Sequence, residues 1–190
     1  MLFIIAIVQK ANARARNEGG RDGPVMLAKT IQDAMNEQIK NELYSSHQYL
    51  AMAAYCESVN LPGFASWMRI QAQEEREHAM KFYDHIQDRN GRVVLQAIDQ
   101  PVIEFASPLE VFEKALEQEQ AVTADINELY TLAVRENDYA SQVFLQWFVT
   151  EQVEEEKNVG DVVQTLKMSG EKNEALLLFD RELGERENEE

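Results

Sequence analysis

The chain has 190 residues, 45% of them hydrophobic and 27% charged, which is the composition of one well-filled globular domain. A formal net charge of -16 argues against non-specific attraction to nucleic-acid phosphates or anionic lipid and suits a protein that handles cations. Cys56 is the single cysteine, so no internal disulfide can form and the reducing cytoplasm is the expected location.

Residues 1–25 read differently from the rest. Met1 to Val8 are apolar, and Lys10, Arg14, Arg16 and Arg21 against Glu18 and Asp22 give this segment +2, leaving -18 for residues 26–190. The apolar run has no basic residues before it and is too short for a signal peptide or a membrane span. Gly19-Gly20-Arg21-Asp22-Gly23-Pro24 is a breaker cluster. The expectation is an N-terminal extension, disordered or a wrongly assigned start, followed by one domain over 26–190.

Beyond residue 26 the prolines punctuate the chain. Pro62, Pro101 and Pro108 fall between periodic stretches, and none follows Pro108. Helices are predicted over about 30–59, 62–91, 108–136 and 139–168, with a shorter fifth over about 171–183. Ser107-Pro108-Leu109-Glu110 marks a helix start, with a capping serine, proline at the first helical position and glutamate at the third. Asp138 can cap the fourth helix, while Gly91 and Gly170 can close the second and fourth. The first and second helices, and the third and fourth, are joined by so few residues that each pair must be an antiparallel hairpin. Residues 92–107 are long enough to run the length of a bundle. The fold expected is all-α, a four-helix bundle with one long crossover between the second and third helices plus a short C-terminal helix. The β-like stretch Arg92-Val93-Val94-Leu95 has no partner and reads as extended crossover.

The inner stripes at helical spacing are Met35, Ile39, Glu42, Ser46, Tyr49, Ala53 and Cys56 on the first helix and Phe64, Met68, Gln71, Glu75, His78 and Phe82 on the second. On the third they are Phe112, Leu116, Glu119, Val122, Ile126 and Leu129, and on the fourth Phe144, Trp147, Glu151, Glu155, Val159, Val162 and Leu166. All four are interrupted by carboxylate near mid-helix. Any one acid could pair with a nearby base such as Lys40, Arg69, Arg76 or Lys81. Four acids at comparable depth on lines without a basic residue point instead to a shared cation. His78, three residues after Glu75 on the same face, joins the set as a ligand, whereas His47 and His85 have no such setting. Oxygen donors with one imidazole and no cysteine argue against structural zinc and for iron or manganese, and hard anionic oxygens favour Fe³⁺ over Fe²⁺.

The stretches Asn41-Glu42-Leu43-Tyr44-Ser45-Ser46, Ala72-Gln73-Glu74-Glu75-Arg76-Glu77-His78, Phe144-Leu145-Gln146-Trp147-Phe148-Val149 and Glu151-Gln152-Val153-Glu154-Glu155-Glu156-Lys157 resemble the bacterial non-haem ferritins. The resemblance runs from residue 26 to about 183. It departs from ferritin-like bundles that carry a Glu-x-x-His on each of two helices, because Gln152-Val153-Glu154-Glu155 stands where the second would be. It implies a first iron held by Glu42, Glu75 and His78, with Glu75 bridging to a second iron completed by Glu119 and Glu155, with Gln152 adjoining. Glu74, Glu151 and Glu154 would join Glu155 around a third iron or an entry path. Tyr49 resembles the tyrosine that supplies an electron beside the paired irons, with a buried core aromatic as the plain alternative. A methionine follows the helix-two Glu in haem-binding relatives; here that residue is Arg76, so no haem is expected.

The resemblance further implies a ferroxidase that oxidises Fe²⁺ with O₂ or H₂O₂ and stores ferric mineral inside a hollow shell of twenty-four copies, with neither nucleic acid nor membrane as a partner. Tyr44 and Tyr139 are candidate anchors between copies, and the acidic tail Glu185-Arg186-Glu187-Asn188-Glu189-Glu190 reads as a solvated end. Two other readings stay open at this point. One is a peroxide-consuming di-iron protein of the mini-ferritin or rubrerythrin kind; the other is a helical interaction protein whose acids are merely salt-bridged.

Overall fold

A computed structural model describes residues 27–170 and 173–186, so the expectation for residues 1–25 lies outside the described residues. Five helices follow one another: α1 (Lys29–Ser58), α2 (Pro62–Asp88), α3 (Pro108–Arg135), α4 (Tyr139–Ser169) and α5 (Asn173–Leu183). The first four form the bundle as two hairpins, α1 with α2 and α3 with α4, and residues 89–107 cross between them. No described helix is long and apolar enough to cross a membrane.

The helix ends are set by local chemistry. Ser107 accepts a hydrogen bond from the Glu110 N–H at 3.1 Å, and Asp138 accepts one from Ser141 N–H at 3.0 Å, as their sequence signals predict. At the C-termini the expected glycine closure holds for Gly170, at φ 59°, but α1, α2 and α3 end differently. Asn60, Asn90 and Asn137 take the left-handed conformation, and the N–H that follows each bonds back to Cys56 O, Ile86 O and Ala133 O at 2.8–3.0 Å. These are Schellman closures built on asparagine, which tolerates positive φ better than other non-glycine residues. Gly91 follows Asn90, and its requirement is space: a Cβ there would sit 2.9 Å from both Gln32 Oε1 and Ile86 Cγ2.

The crossover is extended without being a strand. Asn36 on α1 bonds both Arg92 O and the Val94 N–H, at 3.1 and 2.7 Å, and Gln48 bonds both Val102 O and the Val102 N–H, at 3.0 and 2.8 Å. Side-chain amides thus take the place of a neighbouring strand and satisfy backbone groups the loop would otherwise leave open.

Two apolar clusters fill the bundle. One holds Met52, Phe64, Met68, Phe112, Val159 and Val163, the other Ile31, Met35, Phe82, Ile86, Ile126, Leu145 and Phe148. Buried polar residues Glu42, Gln71, Glu75, His78, Glu119, Gln152 and Glu155 lie along the helices between them. The stripes predicted for α1 to α3 are buried or half-buried as read, but the N-terminal half of α4 is rotated by one position. Its inner line is Ser141, Leu145, Phe148, Gln152, Glu155 and Val159, leaving Phe144 and Glu151 at the margin and Trp147 40% exposed. Trp147 instead lies against the edge of the His78 ring, with Lys81 over its other surroundings at 4.2 Å from the ring centroid.

Helix α5 docks on the start of α2. Leu61, the residue before α2, offers no side-chain cap, and Asp180 of α5 supplies one by accepting from the Phe64 N–H at 2.9 Å. The approach leaves no room for a side chain, since a Cβ on Gly63 would lie 1.6 Å from Asp180 O and one on Gly184 3.1 Å from Gly63 Cα. Gly63→Ala gains roughly 1 kcal/mol of helix propensity, but the clash forces α5 off α2 and strips the cap. The net change is expected to be a loss of about 1–3 kcal/mol, read as a lowered thermal midpoint and faster protease cleavage near residue 170. An unchanged midpoint with unchanged cleavage would refute the docking argument.

Candidate metal centre

Each bundle helix brings one or two ligand-type groups to the layer between the apolar clusters. Glu42 comes from α1, Glu75 and His78 from adjacent turns of α2, Glu119 from α3, and Gln152 and Glu155 from adjacent turns of α4. All six are at most 4% exposed. Glu42, Glu75 and His78 each offer a ligand atom within 4.8 Å of the others, and so do His78, Glu151 and Glu155. His78 belongs to both groups: its Nδ1 is 3.7 Å from Glu75 Oε2 and its Nε2 4.0 Å from Glu151 Oε1.

The remaining candidates take up different positions. Glu119 accepts a hydrogen bond from the Tyr49 hydroxyl, and Gln152 Nε2 lies 3.4 Å from Glu119 Oε2 and 3.2 Å from its carbonyl oxygen. Glu74 is half-buried and salt-bridged to Arg186 at 2.9 Å. Glu154 is exposed and is in neither group of converging ligand atoms. His47 is exposed, whereas half-buried His85 stacks on Phe144 and lies 3.3 Å from Ser141 Oγ, tying the end of α2 to the start of α4.

The hydrogen-bond donors to these acids are neutral. Gln38 donates to Glu42 at 2.9 Å, Gln71 to Glu155 at 2.8 Å, and Tyr49 and Gln152 to Glu119. The bases suspected of neutralising the layer are engaged elsewhere: Lys40 with Glu37, Arg69 with Glu57 and Lys81 with the Trp147 ring, while Arg76 is exposed. Glu42 Oε2 and Glu75 Oε2 are buried and receive no hydrogen bond from any described residue.

The electrostatics follow. Burial, reinforced by the neighbouring carboxylates, pushes Glu42 and Glu75 up, and burial also raises Glu119 against the pull of the Tyr49 and Gln152 hydrogen bonds. Glu155 is pushed up to about 8, first by burial and then by Glu119. His78 moves the other way, down to about 4, because burial disfavours the imidazolium and Lys81 adds a like charge. Near neutral pH Glu155 therefore keeps its proton, the other acids of the layer are shifted in the same direction, and the imidazole is neutral. A divalent or trivalent cation displaces those protons and supplies the charge the acids lack, and the neutral ring is already in its ligating state. Orphaned carboxylate oxygens, neutral donors and a dry setting fit a hard cation with some affinity for nitrogen.

Gln38 and Gln71 were not legible as parts of the centre. Gln71 stood on the predicted inner stripe of α2, but nothing in that stripe distinguished a packing glutamine from one aimed at a carboxylate.

Residues 32–169 match the ferritin-like domain family. The bacterial non-heme ferritin of Staphylococcus aureus is 42% identical over 161 residues, 85% of this chain and 97% of the relative, and that of Staphylococcus saprophyticus is 44% identical over 165 residues, 87% and 99%. Among solved structures, an open-pore ferritin from Archaeoglobus fulgidus superposes with a TM-score of 0.84 at 46% identity, covering 85% of this chain and 99% of that one. With its buried carboxylate and imidazole groups seated in the same five-helix architecture, the chain belongs to the ferritin-like family, among the bacterial non-haem ferritins.

Proposed function

We propose that the chain is an iron-storage ferroxidase that takes Fe²⁺ as substrate, oxidises it in pairs inside each subunit and delivers Fe³⁺ to a stored mineral. The observation that carries this reading is the buried layer with two ligand groups sharing His78, in which Glu42, Glu75, Glu119 and Glu155 form no salt bridge to a lysine or arginine among the described residues. A salt-bridged interaction protein would have spent its bases there. Hard carboxylates bind Fe³⁺ more tightly than Fe²⁺, so the site lowers the free energy of the oxidised state and drives electron loss.

In this reading Glu42, Glu75 and His78 hold one iron, and Glu75 bridges to a second that Glu119, Glu155 and Gln152 complete. Two Fe²⁺ give one electron each, so O₂ with two protons leaves as H₂O₂, or H₂O₂ with two protons leaves as two waters. The carboxylates that give up protons on binding Fe²⁺ are a local source for those protons. In this reading Tyr49, fully buried with its hydroxyl on Glu119, is the tyrosine beside the second iron and affects the kinetics of oxidation. Glu74, Glu151 and Glu154 together with Glu155 make a third iron position or an entry path.

Residues 26–190 act as one domain in this reading, in the cytoplasm, and twenty-four copies close into a shell. Supporting self-association, the crossover carries an exposed apolar strip of Val94, Leu95, Ile98, Val102 and Ile103, and Tyr139 at the start of α4 is 72% exposed. Relatives covered over 97% and 99% of their own length carry the bacterial non-heme ferritin name.

Anaerobic Fe²⁺ titration followed by an O₂ pulse tests the function. Two irons per subunit should bind and oxidise together, with far slower oxidation in Glu75→Ala, whose loss removes the bridge and costs at least about tenfold. Glu75→Ala should still assemble, because deleting one acid relieves repulsion in the metal-free layer. Oxidation within twofold of wild type in Glu75→Ala would refute the bridging role.

The two irons should also separate by mutation. His78→Ala is expected to weaken the first iron by about 10–100-fold while sparing the second, and Glu119→Ala to do the reverse. Tyr49→Phe should leave both bound and change only the oxidation kinetics. Anaerobic crystal soaks at limiting Fe²⁺ check the order, and occupancy appearing first beside Glu119 would count against it.

The metal-free layer makes a pH prediction whose sign can be worked out. A carboxylate raised from 4.5 to about 8, as Glu155 is, holds its proton in the fold while the unfolded chain has lost it, so its contribution to stability falls as pH rises from 4.5 to 8. His78, depressed from 6.5 to about 4, opposes this by destabilising the fold as pH falls below 6.5. Between pH 6.5 and 8 only the carboxylates act. The thermal midpoint of the metal-free protein should drop across that window, and saturating Zn²⁺ should flatten the drop. A midpoint that rises over the window in the metal-free protein would contradict the protonated layer.

A further inference from the structure

The segment that follows α5 carries a basic residue that reaches the acid layer from outside the bundle. The close approach of Gly63, Asp180 and Gly184 fixes the α5 C-terminus against the start of α2, and Arg186 follows two residues after Gly184. Its guanidinium lies 5.0 Å over the Trp67 ring and donates two bonds to Glu74, one to each carboxylate oxygen at 2.9 Å. It also donates to Gln71 Oε1. Gln71 is fully buried, and its amide nitrogen donates in turn to Glu155 Oε2 at 2.8 Å. One cation is thus bonded directly to Glu74 and, through a single amide, connected to Glu155.

We propose that Arg186 is a tethered counter-cation that holds Glu74 in the metal-free protein and must swing away before a metal ion can use that carboxylate together with Glu155. It therefore makes the third position fill last. The inference rests on the reading of Glu74, Glu151 and Glu154 as the third position given above. Several features favour displacement over a permanent structural bridge. The pair is about a fifth exposed on each side, so the guanidinium has water to move into. Its tether is the short segment after α5 rather than the bundle itself. A multivalent cation outcompetes a single guanidinium for a carboxylate, and Gln71 ties Glu155 to the same guanidinium that holds Glu74. Arg186 is then a positioning residue: by holding Glu74 it keeps that acid from the first two ions. Paired oxidation is complete before the third position opens.

The test uses the full-length assembled protein and Zn²⁺, a redox-inert probe, with binding counted per subunit by calorimetry and equilibrium dialysis. Wild type should show two tight ions and a weaker third. Arg186→Gln should tighten the third by about tenfold and leave the first two within about twofold, because a neutral amide no longer competes for Glu74. Arg186→Lys, which keeps the charge, should stay within about threefold of wild type. Glu74→Gln should abolish the third ion in either background. A third ion that needs Glu74 but is indifferent to Arg186→Gln overturns the role of Arg186 while leaving the third position intact. A third ion that survives Glu74→Gln overturns the third-position reading, and the proposal with it. Crystals of the wild-type protein soaked in saturating Zn²⁺ give a check free of any folding defect: the guanidinium should have left Glu74, and finding it still paired there beside a bound third ion would refute displacement.

Discussion

Everything in this bundle is arranged around carboxylates taken out of water without a charge to meet them. An isolated buried acid either binds a proton, finds a base or finds a metal. Here the chain supplies neutral donors, Gln38, Gln71, Gln152 and Tyr49, which orient Glu42, Glu119 and Glu155 without neutralising them. An arginine in place of any of these would satisfy its acid and close the site to a cation. The apolar clusters on either side of the layer exclude water from it, and their packing offsets the cost of keeping it. The helices are held in register because Glu42, Glu75, Glu119 and Glu155 must meet at one depth.

Much of this was legible in the sequence because its signals were long and redundant. Thirty residues of α1 without proline or glycine, the Ser107-Pro108 start and the short turns at 59–61 and 136–138 determine the hairpins and therefore the crossover. Glu75 and His78 stand three apart on α2, a spacing that only a helix makes adjacent, and the acids of α1 and α3 interrupt otherwise apolar lines. The α4 stripe was misphased because Phe144 and Trp147 are large and apolar, and periodicity assigns such residues to the core. In the fold they flank the inner line, Trp147 against His78 and Phe144 against His85, so the true line runs through smaller and polar residues including Gln152. Gly91 was read as the residue with the unusual backbone, when Asn90 carries it.

What no local pattern could reveal depended on α5. Asp180 capping a helix more than a hundred residues away, and Arg186 meeting Gln71 and Glu74, are consequences of where a short C-terminal helix docks. In sequence the final residues are an acidic run with one arginine, and a solvated end is the natural reading. The structure places Arg186 against α2, while residues 187–190 lie outside the described residues. Tertiary contact here overrides composition, since one ordered guanidinium bonded to Glu74 and Gln71 matters more than the net charge of the segment around it.

The amide pairs between α1 and the crossover carry a consequence for how the chain assembles. Asn36 and Gln48 sit twelve residues apart on α1, and each grips the backbone of the crossover at both its donor and its acceptor. The track for the long connection exists only once α1 is helical, and α1 and α2 are neighbours in sequence, so their hairpin closes the shorter loop. The search of the second hairpin for the first is thereby reduced from a free loop of nineteen residues, 89–107, to short segments pinned at residues 92–94 and at 102. Asn36 and Gln48 shape the route by which the two halves of the acid layer find each other. Slower refolding of Asn36→Ala with little change in its unfolding rate is the kinetic signature of a latch already formed at the barrier.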